Sequence, residues 1–178
     1  EMLRSLVGSE MCIRDRDGLW RAWRFIERAT RAPGNLDGRI NMMSASLQGA
    51  LAFQKGLGCV HSLSHALGGI NPRLHHGTLN AIFLPAVIRF NRTAETVVSE
   101  HKMQRIAQAM GLADDSQIED AIRDMTRTLG LPTGLGELDV NPDLFPRIVQ
   151  GALADHSHRT NPREASAEDY QWLLEASM

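Results

Sequence analysis

From Asp17 onward, almost every segment repeats its apolar residues at helical spacing, and none alternates strictly as a half-buried strand would. Leu19, Trp20, Trp23, Phe25, Ile26 and Ala29 form one such run, with Asp17 placed to cap it and Pro33-Gly34-Asn35 to end it. Met42, Met43, Leu47 and Ala50 make a second stripe, interleaved with Ser44, Ala45, Ser46 and Gly49. Small residues at that density point to close helix packing, or to a backbone that approaches a ligand. A short helix follows over Val60–Leu67, ended by Gly68-Gly69, and an apolar run from His76 to Phe90 is expected to kink or shorten at Pro85. Thr93–Met110 reads as one amphipathic helix, Asp114-Asp115-Ser116 as the cap of the next, Asn141-Pro142 and Ser166 as the starts of the last two. Aromatic residues are only 5% of the 178, so the core must come from Leu, Ala, Ile, Val and Met. The expected fold class is all-α.

The net charge of −2 and the absence of a like-charge block exclude the basic footprint of a nucleic-acid binder. The longest apolar stretch, Ala81–Ile88, falls far short of the roughly 20 residues a membrane helix needs. Two cysteines, Cys12 and Cys59, make no disulfide framework, so a cytoplasmic setting is expected.

Four of the seven histidines, His61, His65, His75 and His76, fall within sixteen residues. His61 and His65 are four apart, so on a helix they project from one face, one turn above the other. Neutral imidazole binds Fe, Zn and related ions, and it also shuttles protons near neutral pH. His76, beside Gly77 at the start of an apolar run, can turn back toward the same volume. Spacing alone leaves ordinary packing or surface placement open, because no carboxylate is visibly paired with these rings.

The segment Gly56-Leu57-Gly58-Cys59-Val60-His61-Ser62-Leu63-Ser64-His65-Ala66-Leu67-Gly68-Gly69, followed by His75-His76-Gly77-Thr78-Leu79-Asn80-Ala81-Ile82-Phe83-Leu84-Pro85, resembles the second half of the iron-containing alcohol dehydrogenase pattern. Arg89-Phe90-Asn91, Leu129-Gly130-Leu131-Pro132 and Asn161-Pro162-Arg163 extend the resemblance from Asp17 to the end of the chain. It implies the C-terminal helical domain of the dehydroquinate synthase-like, iron-containing alcohol dehydrogenase fold, occupying residues 17–178, whose partner is an N-terminal Rossmann-like domain. It also implies hydride transfer between a small alcohol or aldehyde and NAD or NADP, with Fe²⁺ or Zn²⁺ as Lewis acid, in an intact enzyme that is a homodimer. Neither nucleic acid nor membrane is an expected partner.

Carried over residue by residue, the resemblance makes His61 and His76 metal ligands and His65 a catalytic proton relay. Counting from His65 favours His75 as ligand in shorter-turn relatives; the H-G pairing favours His76, leaving His75 as a pocket neighbour. Phe53 and Ser157 fall at positions that face the substrate pocket in some relatives. Two further ligands of the family come from an upstream D-x-x-x-H element, which this sequence lacks, as it lacks a glycine-rich nucleotide motif. A fragment of this kind is expected to bind metal weakly and to be inactive alone. Two alternatives stand: a maleylacetate reductase or hydroxyacid–oxoacid transhydrogenase of the same superfamily, and a non-enzymatic helical domain.

Residues 1–16, EMLRSLVGSEMCIRDR, hold no clean period and resemble translated sequencing-adapter DNA. The natural sequence is accordingly expected to resume near Asp17, with Cys12 carrying no function; a genuine amphipathic first helix is the alternative.

Overall fold

A computed structural model describes residues 2–53 and 56–178, with side chains from residue 15 onward, so Cys12 and most of the adapter-like segment lie outside the described side chains. Among the described residues there is no strand. The helices are α1 (Met2–Arg31), α2 (Leu36–Ala52), α3 (Gly58–Ile70), α4 (His76–Asn91), α5 (Glu95–Ser99), α6 (Lys102–Met110), α7 (Ile118–Thr128), α8 (Phe145–Ala154) and α9 (Ala167–Glu175). None of them is long and apolar enough to cross a membrane. The chain divides into two compact units, Glu1–Lys55 with Met103–Gln117, and Gly56–Lys102 with Ile118–Met178.

In the first unit, α1 and α2 pack against each other across the turn at residues 32–35. Asn35 caps α2 by accepting from the Gly38 N–H at 2.8 Å. Asp17 does not cap α1, which runs straight through it; its carboxylate instead accepts from Arg21 at 2.7 Å and from Gln48 at 2.6 Å. The interhelical partner on α2 outweighs the local capping preference. Of the small residues interleaved with the α2 stripe only Ala45 is buried, and nothing lies within 4 Å of a Cβ on Gly49; the close approach falls instead at Gly18, where a Cβ would lie 3.1 Å from Gln48 Cβ, and at Gly38, where one would lie 3.5 Å from Ala29 Cα. Gly38, Asn41 and Ala45 form the buried side of α2, while Leu36, Ile40, Met43 and Leu47 lie exposed.

The second unit has a continuous apolar core. Cys59, Leu63 and Leu67 from α3 meet Leu79, Phe83, Val87 and Phe90 from α4, Ile148 and Ala152 from α8, and Tyr170, Leu173 and Leu174 from α9. Leu63 and Phe83 are fully buried, which at roughly 25 cal/mol per Å² makes them major contributors to this core. There are three departures from the local signals, and that packing explains the first two. Helix α3 continues through Gly68 and Gly69 to Ile70, because Leu67 is fully buried and Ile70 packs on the core. Helix α4 continues through Pro85, whose missing donor costs about 3 kcal/mol in a helix interior, because Phe83, Ala86 and Val87 anchor both sides of it.

The third departure lies between Thr93 and Met110, where one expected helix is two, α5 and α6, separated at His101 with φ +51°. The β-branched run Thr96-Val97-Val98 lies within α5 and weakens that short helix, which is five residues long, rather than marking the break. Ser166 caps α9 as the sequence predicts, and Asp169 completes a capping box with it.

Candidate functional site

Successive residues of a helix are rotated by about 100°, so His61 lies about 200° around α3 from Cys59. The core-facing series Cys59, Leu63, Leu67 therefore leaves His61 and His65 on the far side of the same helix. The N-terminus of α3 has no side-chain cap of its own, since Leu57 is the N-cap residue. Its acceptors come from Thr160 and Asn161. Thr160 Oγ1 accepts from the Leu57 N–H at 3.2 Å, and Asn161 Oδ1 accepts from the Cys59 N–H at 3.2 Å. Asn161 is itself held by Asn91, whose Oδ1 accepts from it at 2.8 Å, and by the Arg163 carbonyl. The approach is close enough to require glycine. Gly56 and Gly58 have φ of +97° and +70°, and a Cβ would run into Thr160 at the first and lie 2.7 Å from Asn161 Oδ1 at the second. The Gly-Leu-Gly, Arg-Phe-Asn and Asn-Pro-Arg elements thus form one clamp that fixes where α3 begins, and with it where His61 points.

His76 opens α4, and its ring meets the α3 pair. Ring centroids are 5.6 Å apart for His61–His65, 5.2 Å for His61–His76 and 5.4 Å for His65–His76. Asn80, one turn into α4, points its amide nitrogen between two of them, 3.4 Å from His61 Nε2 and 3.4 Å from His76 Nδ1. Those two ring nitrogens therefore converge on one small polar volume. Asn80 Oδ1, in the same place, is buried without a hydrogen-bond partner. Burial, and then the neighbouring His76 and His65 rings, push His61 below the usual histidine range. A neutral imidazole keeps the lone pair that a cation needs.

Sequence reasoning left two elements of this site without a role or a mention. Asn80 stands in the recognised motif but had no assigned contact. Asp155, at the end of α8, places Oδ2 3.0 Å from His65 Nδ1 and is almost enclosed. Burial pushes its carboxyl up, but hydrogen bonds from Ser157 and His65 outweigh burial and hold it below the usual carboxylate range. Its only local signal is Asp-x-Ser, the spacing of a turn cap, and the Ser157 N–H does donate to Asp155 Oδ1 at 2.8 Å. His156, mostly exposed, stacks on His65 with centroids 6.0 Å apart.

His75 is the exposed N-cap residue of α4, and its ring leans over Gly77. Ser157 is buried in the turn His156–Thr160, beside Asp155. Phe53 belongs to the other unit, at the C-cap of α2. Cys59 is buried and chemically quiet, its thiol pushed up to about 11 mainly by burial.

The donor set fits part of a metal site. His61 and His76 present two imidazole nitrogens, a share of the four or more ligands that Fe²⁺ or Zn²⁺ takes. Among the described residues, no group of three or more His, Cys, Asp or Glu side chains is arranged to hold a metal ion.

Comparison with known proteins shows which family the chain resembles as a whole. Residues 23–178 match the model described as "Fe-containing alcohol dehydrogenase family, C-terminal". A 4-hydroxybutyrate dehydrogenase from Cupriavidus necator is 58% identical over 166 residues, covering 91% of this chain and 44% of that protein. A 1,3-propanediol dehydrogenase from Klebsiella pneumoniae is 34% identical over 155 residues, covering 82% and 39%. The crystal structure of a 1,3-propanediol oxidoreductase superposes with a TM-score of 0.86 at 28% identity, over 94% of this chain and 45% of that one. The chain spans less than half the length of these relatives. It belongs to the Fe-containing alcohol dehydrogenase family and matches the C-terminal part of that family's proteins.

Proposed function

We propose that the chain carries the metal-binding side of an NAD(P)-linked alcohol dehydrogenase, whose nucleotide platform and remaining metal ligands belong to the part of its relatives that it does not span. The convergence of His61, His65 and His76 on one volume carries this reading. His61 and His76 would hold Fe²⁺ or Zn²⁺, with Asn80 on α4 keeping the two rings turned toward each other. Bound there, the ion supplies Lewis acidity to an alcohol oxygen. His65, its ring beside both ligands and one-third exposed, takes the alcohol proton and passes it to solvent. A nicotinamide held by the part of the relatives that the chain does not span would supply the hydride acceptor, and its redox chemistry is the cofactor's own. Similarity to a 4-hydroxybutyrate dehydrogenase favours a short hydroxy acid as substrate over a simple alcohol.

The test has two parts. The 178-residue chain is titrated with Co²⁺ as a spectroscopic probe, and a weak site should be lost in both His61→Ala and His76→Ala. A chimera joining residues 17–178 to the upstream half of the Cupriavidus necator enzyme should oxidise 4-hydroxybutyrate with a nicotinamide cofactor and lose that activity in the same variants. Co²⁺ binding and turnover that survive both substitutions would refute the assignment.

A further inference from the structure

Asp155 takes hydrogen bonds from Ser157, through both its backbone and its side chain, and from His65. Oδ1 accepts from the Ser157 backbone N–H at 2.8 Å, which starts the turn His156–Thr160. Oδ2 faces His65 Nδ1 at 3.0 Å. The other nearby imidazole nitrogen, His156 Nδ1, is 3.8 Å from Oδ1 and beyond hydrogen-bond reach. An ionised carboxylate accepts only, so the proton between Asp155 and His65 must sit on Nδ1. The other ring nitrogen then carries a lone pair.

We propose that Asp155 is a positioning residue that locks His65 in the Nδ1–H tautomer, leaving Nε2 as the acceptor for the proton an alcohol gives up. The direction of the hydrogen bond stands by itself; its meaning for turnover rests on the dehydrogenase reading above. In that reaction the alcohol would give up a hydride, for which a nicotinamide would be the acceptor, and a proton to His65 Nε2. The resulting imidazolium, protonated on both nitrogens, is stabilised by the Asp155 carboxylate until Nε2 releases its proton to water. Without Asp155 the neutral ring is free to carry its proton on Nε2, and a ring in that state cannot accept there.

The backbone makes one substitution especially informative. In Asp155→Asn, the Ser157 N–H still requires an acceptor, so the amide oxygen stays at the Oδ1 position and the NH₂ group turns to His65. His65 Nδ1 must then accept, and its proton moves to Nε2. Charge is removed, the turn cap is kept, and the tautomer inverts.

The experiment is long-range proton–nitrogen correlation spectroscopy on the ¹⁵N-histidine-labelled 178-residue chain without added metal. Spectra are taken where the ring is neutral, with His65 assigned by His65→Gln. In the parent chain His65 should show a pyrrole-like Nδ1 and a pyridine-like Nε2; in Asp155→Asn the two signatures should exchange. A pyrrole-like Nε2 in the parent chain overturns the proposal whether or not the variant folds. A folded Asp155→Asn chain with the parent pattern overturns it equally. Neither readout depends on Co²⁺ binding or turnover, so the metal assignment can fail while this inference stands, and the reverse.

Discussion

Gly58→Ala should be strongly damaging in the second unit, because two independent costs fall on one methyl group. Gly58 has φ +70°, where an L side chain costs about 1–2 kcal/mol. Its new Cβ would also lie 2.7 Å from Asn161 Oδ1 and force that side chain away. Asn161 Oδ1 is the acceptor for the Cys59 N–H, and Cys59 is fully buried, so losing it leaves a buried donor unsatisfied at about 1–3 kcal/mol. Together these predict a loss of about 2–5 kcal/mol, read as a lowered urea midpoint by circular dichroism. The control is Gly69→Ala in the same helix, where nothing lies within 4 Å of the added methyl. There, removing a flexible residue from a helix should stabilise by about 0.5–1 kcal/mol. In Gly58→Ala/Asn161→Ala the clash is gone and the acceptor already lost, so the double variant should lose less than the sum of the singles. A Gly58→Ala chain as stable as the parent, or strictly additive singles, would refute the reasoning.

Two further outcomes follow from the second unit. Glu119 accepts from Arg92 through both oxygens, at 2.7 and 2.8 Å. Burial raises its carboxyl, but the Arg92 contacts win and hold it below its ordinary value of 4.5. A depressed carboxylate stabilises fully above its unfolded value and loses that contribution as pH falls through the folded one. Glu119→Gln should therefore cost about 1–2 kcal/mol at neutral pH and converge on the parent chain in acid, as thermal unfolding across pH will show. Leu63→Ala removes a fully buried side chain from the middle of the core and should cost about 2–5 kcal/mol in the same denaturation assay.

The site was legible where its geometry is local. His61 and His65 share a face of α3 because they are four apart on a helix, and any helical environment would place them so. Ser166 and Asn141 cap the helices that follow them because the acceptor and the orphan N–H are at most three residues apart. Wherever the answer depended on a distant partner, local signals failed. Glycines at 68 and 69, a proline at 85 and an aspartate at 17 all read as helix boundaries, and burial or an interhelical hydrogen bond carried the helix past each of them.

What the sequence determined by itself was therefore an all-helical chain, a pair of histidines on one helix face, and a third histidine at the start of the next apolar helix. Only the tertiary structure decided how those rings are held and turned. Asn80 reaches between His61 and His76, Asn161 caps α3 from 102 residues away, and Asp155 meets His65 across 90. A helix repeats every few residues, so its faces are written in short-range spacing. A hydrogen bond between distant segments exists only once a shared core has brought their backbones together.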